Sequence, residues 1–439
     1  MGGRWRPSRG PLALSGVLTL AAVAGLGVAG APSAGALPDG RTARVSLDNK
    51  GRQSPDGQNF APSISADGRW VAFDSEADSF VPGDTNQHTD IFVRDTRTGR
   101  TTRLSVNSAG VQANADSFTP AISGDGRWVA FVSDATNLVP HDTNGGTDVF
   151  LHDRRSGRTI LLNVALDGRE TEGGDSPAVS RDGRWVVYNA AKPLRSIGTD
   201  EDLDGTFLYD TRTGKRARIP YIGGEDMSLS GTGRYVAFSS DVRDLVPHDG
   251  NRKYDCFVYD RTTRRIRLVS TDSRGRQGNG ESTGPVISAD GRYVAFASSA
   301  TNLVAGDTNH ADDVFVKDLR TGRTTRASLT SAGRQADQGS GGPVFSADGR
   351  YLAFLSQADI TGRTLLDPTV YDVYLRDRRA GTVVRVNVSP GGVGADGETT
   401  SYPAISADGR HVAFSSRASN LVAGDTNGLD DIFVRTYGD

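Results

Sequence analysis

The sequence predicts an all-β fold, a seven-bladed β-propeller of four-stranded antiparallel blades, and three observations predict it. A phrase Ser-x-Asp-Gly-Arg followed by an aromatic or large apolar residue recurs along the chain, with its Asp at Asp67, Asp125, Asp182, Asp290, Asp348 and Asp408 and a variant copy carrying Thr232 at that place. Each repeat holds four short runs of strand-like residues separated by turn signals. The last repeat stops one run short, and the missing run stands at the other end of the chain.

The copies lie 50 to 60 residues apart, a period typical of repeat architectures. In the first repeat the inner run Pro62-Ser63-Ile64-Ser65 leads through Asp-Gly into Trp70-Val71-Ala72-Phe73. Asp-Gly between two such runs is a hairpin signal, because Gly supplies the positive φ of a tight turn. A third run, Asp90 to Asp95, passes through Thr96-Arg97-Thr98-Gly99 into a fourth, Thr101 to Val106. The second and third runs are apolar on both faces, so both faces must be covered, and neighbouring blades packed around an axis provide that cover. The chain ends just after Asp431-Ile432-Phe433-Val434-Arg435, a third run. Thr42 to Leu47 matches the fourth-run pattern and is expected to complete the blade of Asp408, closing the ring.

Composition agrees. Gly makes up 54 of 439 residues and hydrophobic residues only 36%, a balance that suits many short strands and turns rather than helices. Residues 1 to 36 read as a secretory signal: Arg4, Arg6 and Arg9 precede an apolar stretch, and Ala34-Gly35-Ala36 offers a cleavage site after Ala36. The mature chain would then be one propeller, residues 37 to 439, secreted to the extracellular space, with no membrane span and expected to be a monomer. Its formal charge is −6, with 47 basic against 53 acidic side chains once those three arginines are removed. No basic stripe is visible, which argues against nucleic acid as a partner. Cys256 is the only cysteine, so no internal disulfide can form, and its place in Asp255-Cys256-Phe257-Val258 reads as a buried strand thiol.

The repeat, an apolar run, Ser-x-Asp-Gly-Arg, Val-Ala-Phe, then Phe-Val-x-Asp with Thr-Gly, resembles the WD40-like propeller repeats of the TolB type. The resemblance covers residues 42 to 439 and implies the fold; the N-terminal α/β domain of TolB itself has no counterpart here. Because propellers serve as binding modules and as enzymes alike, it implies no particular function.

Five of the seven loops between second and third strands carry Asp-x-Asn-x-x-x-Asp: Asp84, Asn86 and Asp90; Asp142, Asn144 and Asp148; Asp249, Asn251 and Asp255; Asp307, Asn309 and Asp313; Asp425, Asn427 and Asp431. In the third blade the run becomes Asp200-Glu201-Asp202-Leu203-Asp204-Gly205, which matches the opening of many calcium loops, and the sixth blade retains only Asp372. Two readings stand. Alternating carboxylate and amide oxygens on a tight loop can converge on Ca²⁺, a hard cation that accepts six to eight oxygens. Alternatively, Asp and Asn bond to their own loop backbone as Asx turns.

Up-and-down strand order places these loops on the same face as the polar linkers between blades, such as Gln112 to Thr119 and Gln335 to Gly342. That acidic loop face is the expected binding surface for an extracellular protein or polysaccharide. The alternative is a polysaccharide lyase or hydrolase whose catalytic groups converge in the central channel. No cofactor beyond calcium, no nucleophile elbow and no phosphate loop is suggested. Of the six histidines, four lie in or beside the Asp-Asn loops but in different blades, so no metal-ligand spacing forms, and the six read as surface residues. The exit aspartates of the third strands, Asp95, Asp153, Asp210, Asp260, Asp318 and Asp377, read as turn caps. Symmetry is broken in the third blade (Lys192 to Gly205, with Tyr221 to Asp226) and in the sixth (Ile360 to Tyr371), where private loops are candidates for a specific ligand.

Overall fold

A computed structural model describes residues 40–164, 170–191, 205–219, 224–243, 245–247, 249–362 and 370–438. The leader and its cleavage site lie outside these residues, as do Asp200, Asp202 and Asp204. The described strands form seven four-stranded antiparallel sheets, and no helix occurs among the described residues. The protein is a seven-bladed β-propeller.

In the first blade the strands are Asn59–Ile64, Trp70–Ser75, Asp90–Asp95 and Arg100–Arg103. The first strand of every blade lies against the first strands of its neighbours, so these seven surround the axis and the fourth strands form the rim. The seventh blade is completed from the other end of the chain. Gly40–Arg44 pairs with Asp431–Tyr437, with Thr42 opposite Arg435 and Arg44 opposite Phe433. The closing strand starts two residues earlier than its sequence pattern suggests and ends at Arg44, after which Val45 still donates to the carbonyl of Ile432 at 2.7 Å.

Burial explains the doubly apolar middle strands. Asp90 to Asp95 is buried throughout, and hydrophobic clusters fill the layers between adjacent blades, as where Ala72, Ile91 and Val93 of the first blade meet Ile122, Val129 and Phe131 of the second. Each blade also carries one cross-strand aromatic pair, from Phe73–Phe92 at 6.0 Å between ring centres to Phe414–Phe433 at 5.7 Å. Such pairs are worth about 0.5–1.5 kcal/mol beyond their area.

The Asp-Gly turns lock the blades to one another on one face. Ala66 N–H donates to the carbonyl of Gly124, Gly124 to Arg181, Asp182 to Gly231, Gly231 to Ala289, Ala289 to Ala347, Ala347 to Ala407, and Ala407 back to Ala66, all between 2.8 and 3.0 Å. Seven hydrogen bonds thus close a circle around the axis. The turn glycine is required twice over at Gly126: φ is +69°, and a Cβ there would stand 2.2 Å from Trp70 of the preceding blade. The exit aspartates do cap turns, as Asp95 accepts the N–H of Arg97 at 3.0 Å. They also accept the repeat arginine, Arg69 to Asp95 at 2.7 Å and Arg127 to Asp153 at 2.7 Å, a second role that the turn pattern does not reveal.

Candidate functional site

The opposite face carries the Asp-Asn loops. In all five, the Asn side-chain oxygen accepts the backbone N–H two residues on, from His88, Gly146, Lys253, Ala311 and Leu429, at 2.8 to 3.3 Å. These are Asx turns. The Asn amide also reaches the third-strand carboxylate: Asn86 to Asp90, Asn144 to Asp148, Asn309 to Asp313 and Asn427 to Asp431, with Asn251 bonding Asp255 likewise. The asparagines therefore shape the loop and hold the aspartate.

The paired aspartates are brought together in each loop, and blades differ in how their charge is answered. In the first, Arg103 lies 2.7 Å from Asp84 and 3.2 Å from Asp90, with both aspartate side chains 1% exposed. In the fifth, Arg326 bridges Asp307 at 3.1 Å and Asp313 at 3.2 Å; in the seventh, Arg44 of the closing strand bridges Asp425 at 2.9 Å and Asp431 at 3.4 Å. Arg385 pairs with Asp372 of the sixth blade at 2.5 Å. These arginines sit on the fourth strand opposite the aromatic of the third, as Arg103 faces Phe92 and Arg326 faces Phe315. The equivalent residues of the second and fourth blades are Leu161 and Leu268. In the fourth, the amide of Gln277 bridges the pair instead, donating to Asp249 at 2.9 Å and to Asp255 at 2.7 Å.

The second blade has neither device. Glu170 stands where the other linkers have Gln112, Gln277 and Gln335, and it accepts the N–H and hydroxyl of Thr143 at 3.2 and 2.8 Å. Both carboxylate oxygens of Asp142 are buried without a hydrogen-bond partner. Burial, then the charges of Asp148 and Glu170, push the Asp142 carboxyl up to about 7; Asp148 is pushed up to about 6, mainly by burial. Among the described residues no three His, Cys, Asp or Glu side chains form a group that could hold a metal ion by themselves.

Where the inner strands reach this face, six of them carry a bulge that puts Ala61, Thr119, Ser176, Asp226, Gly284 or Gly342 in the left-handed region. Such bulges re-aim side chains, here around the mouth of the channel. In the seventh blade Tyr402 takes the corresponding place. It is 68% exposed, yet its ring is fixed against the neighbouring blade, because a Cβ on Gly342 would lie 2.4 Å from Tyr402 Cδ1. The charges of Asp226 and Tyr371 act on its hydroxyl. Asp226, three blades away, accepts the N–H of Gly284 at 3.3 Å, and Tyr371 is 36% exposed. Asp226 and Tyr371 terminate the two private stretches of sequence that break the repeat. Tyr402 lies in neither, although an aromatic where other blades have Ala61, Thr119, Ser176 or Gly342 before Pro is a readable departure.

Among the described residues the histidines contribute no shared site; His248 lies outside them. His88 meets Asp116 at 3.2 Å on the surface. His152, against expectation, is buried: its Nδ1 lies 2.9 Å from Thr159 Oγ1, and burial lowers its pKa to about 4. The alternation of the third strand, which is buried on both faces, explains the difference. Cys256 is fully buried, as its surroundings suggest.

No protein-family model matches the sequence, and no curated protein is recognisably similar to it. The fold has solved counterparts. An oligogalacturonate lyase in complex with manganese aligns at 15% identity and a TM-score of 0.52, covering 91% of this chain and 93% of that one. The β-propeller domain of the Trilobed protease from Pyrococcus furiosus, described as having an open velcro topology, aligns at 10% identity and a TM-score of 0.51, covering 87% and 98%. TolB from Acinetobacter baumannii aligns at 16% identity and a TM-score of 0.40, covering 85% and 82%. At these identities the likeness is one of fold, and this ring, unlike an open one, is closed by the pairing of its two ends.

Proposed function

We propose that the chain is a secreted, non-enzymatic propeller that binds a polysaccharide on its loop face, at the channel mouth, with calcium contributing where the chain leaves loop carboxylates unanswered. The observation that carries this reading is Tyr402, an exposed ring in close contact with Gly342 of the neighbouring blade, and the charges of Asp226 and Tyr371 act on its hydroxyl. A tyrosine presents an apolar face and a polar tip. A sugar ring offers a C–H face to stack on the first and hydroxyls for the second, while Asp226 supplies a carboxylate acceptor. Tyr371 and Tyr402 are also two of only four large hydrophobic side chains exposed among the described residues, which is why this spot is favoured over the rim.

The test is binding of the full chain to a panel of soluble polysaccharides, with Tyr402→Ala and Arg52→Ala compared. Loss of about tenfold in affinity, equivalent to about 1.4 kcal/mol, is expected for the tyrosine variant and none for the arginine variant. Binding that ignores Tyr402, or capture of proteins alone, overturns the reading. The same incubations score the alternative of a lyase or hydrolase in the channel: accumulation of shortened or unsaturated products would establish it.

A further inference from the structure

Five of the seven blades place a cationic arginine on the fourth strand, and a sixth turns a glutamine amide to the same task. Arg44, Arg103, Arg326 and Arg385 pair with loop aspartates at 2.5 to 3.4 Å, Arg218 holds the matching position in the third blade, and Gln277 bridges Asp249 and Asp255. Only the second blade substitutes both positions, with Leu161 on the strand and Glu170 on the linker. The double change removes the positive partner and adds a negative one.

We infer that the second blade binds a divalent cation, Ca²⁺, between the carboxylates of Asp142 and Asp148, in the place that arginine or glutamine takes in the other blades. Two independent observations converge on it. One is the repeat itself: the same loop, with the same Asx turn, is met by an arginine or by a bridging glutamine amide in the first, fourth, fifth and seventh blades and by neither here. The other is that both oxygens of Asp142 are buried with no hydrogen-bond partner; those of Asp84 are too, but Asp84 has the Arg103 guanidinium at 2.7 Å, whereas Asp142 forms no ion pair among the described residues, a state that an uncompensated carboxylate does not sustain without cost. Asp148 has its own oxygens held by Asn144 at 2.8 and 2.9 Å and by Asn163. Glu170 faces the pair from the linker, and Asp134 adds negative charge from the second strand's end.

The ligands that Asp142 and Asp148 offer are carboxylate oxygens, which suit a hard cation better than zinc or copper. Two buried carboxylates cannot fill a coordination shell alone. Ca²⁺ tolerates the irregular mixture of carboxylate, carbonyl and water that would complete it, whereas Mg²⁺ demands a near-ideal octahedron. The inference rests on the calcium element of the proposed function and is independent of polysaccharide binding.

The test is thermal unfolding of the full chain in millimolar Ca²⁺, in millimolar Mg²⁺ and in excess chelator, for the natural chain, Leu161→Arg and Asp142→Asn. One site at about a hundredfold excess over Kd raises Tm by roughly 3 °C for a ring of this size. That rise is expected for the natural chain with Ca²⁺ and not with Mg²⁺, and it should vanish in both variants. Leu161→Arg installs the internal cation used by the first blade; Asp142→Asn is close to isosteric and serves if the larger residue prevents folding. A rise that persists in the variants overturns the second-blade site while leaving calcium binding elsewhere in the ring. No rise in the natural chain overturns the site and the calcium element together.

Discussion

The two faces of the ring are made from the same seven repeats and have been treated differently. On the turn face, six blades solve the same problem with the same pair: the repeat arginine meets the exit aspartate, as in Arg69–Asp95, Arg234–Asp260 and Arg350–Asp377, and seven backbone hydrogen bonds join the blades in a circle. On the loop face, an equally regular aspartate pair is answered by arginine or by glutamine, or, in the second blade, is left with Asp142 unpartnered. Uniformity marks a task that every blade shares, holding its neighbour. Variation on a common frame marks places where something other than the chain can enter.

The comparison presupposes that the ring is closed, and the largest effect should come from opening it. Removing residues 37 to 48 deletes the outer strand of the seventh blade, takes Val45 from its hydrophobic cluster, and leaves Asp425 and Asp431 without Arg44. A circular dichroism melt of this truncation should show no cooperative transition near that of the natural chain. Retention of the natural transition would mean that the first and last blades hold together without the shared sheet.

A smaller effect separates the faces directly. Arg103→Leu reproduces in the first blade the strand residue of the second, leaving Asp84 and Asp90 buried and unanswered. Breaking a buried pair from one side costs about 3–5 kcal/mol, roughly 4–6 °C in Tm for a domain of about 400 residues. Arg69→Leu on the turn face breaks a pair whose arginine is 29% exposed, and a clearly smaller loss is expected because solvent screens such a pair. Equal losses in chemical denaturation would remove the distinction between an internal lock and a surface pair. Added Ca²⁺ should recover part of the loss for Arg103→Leu and none for Arg69→Leu.

The fold was legible because the repeat register carries it: one Asp-Gly turn per blade fixes where four strands begin and end, and an incomplete last repeat can be completed only by Gly40–Arg44. The aspartates of the loops were legible for the same reason. Their arginines were not. In Thr102-Arg103-Leu104-Ser105 the alternation reads as an outward-facing arginine on a rim strand, yet the Arg103 side chain is only 10% exposed, since its long stem folds back to the carboxylates. Sequence spacing reports which face a residue leaves from, not where a four-bond side chain ends. The contrast of Arg103 with Leu161, visible once the blades are aligned, was the available signal. The channel mouth was half legible: the private stretches end on Asp226 and Tyr371, but only the ring geometry brings them toward Tyr402.

The smallest expected effect is one of pH, and it should pull the two faces in opposite directions. On the turn face, hydrogen bonds from Arg127 and Arg234 hold Asp153 and Asp260 at about 2, below the usual carboxylate value near 4. Stability from these groups is complete above about pH 4 and is lost as pH falls toward 2. On the loop face, Asp142 at about 7 and Asp148 at about 6 lie above the unfolded value. The folded ring there binds protons more tightly than the unfolded chain, so stability falls as pH rises from about 4 to 7 and stays low above that. In excess chelator, Tm should therefore climb modestly between pH 8 and pH 5 and drop below pH 4. Asp84, Asp255, Asp313 and Asp431 are pushed up to about 6 as well, so Asp142→Asn should remove only the part of the first limb nearest pH 7 and leave the rest of it and the second limb. With Ca²⁺ present the same part should shrink in the natural chain, because a bound cation holds the carboxylates ionised; a limb unchanged near pH 7 by either treatment would place the titrating group outside the second blade.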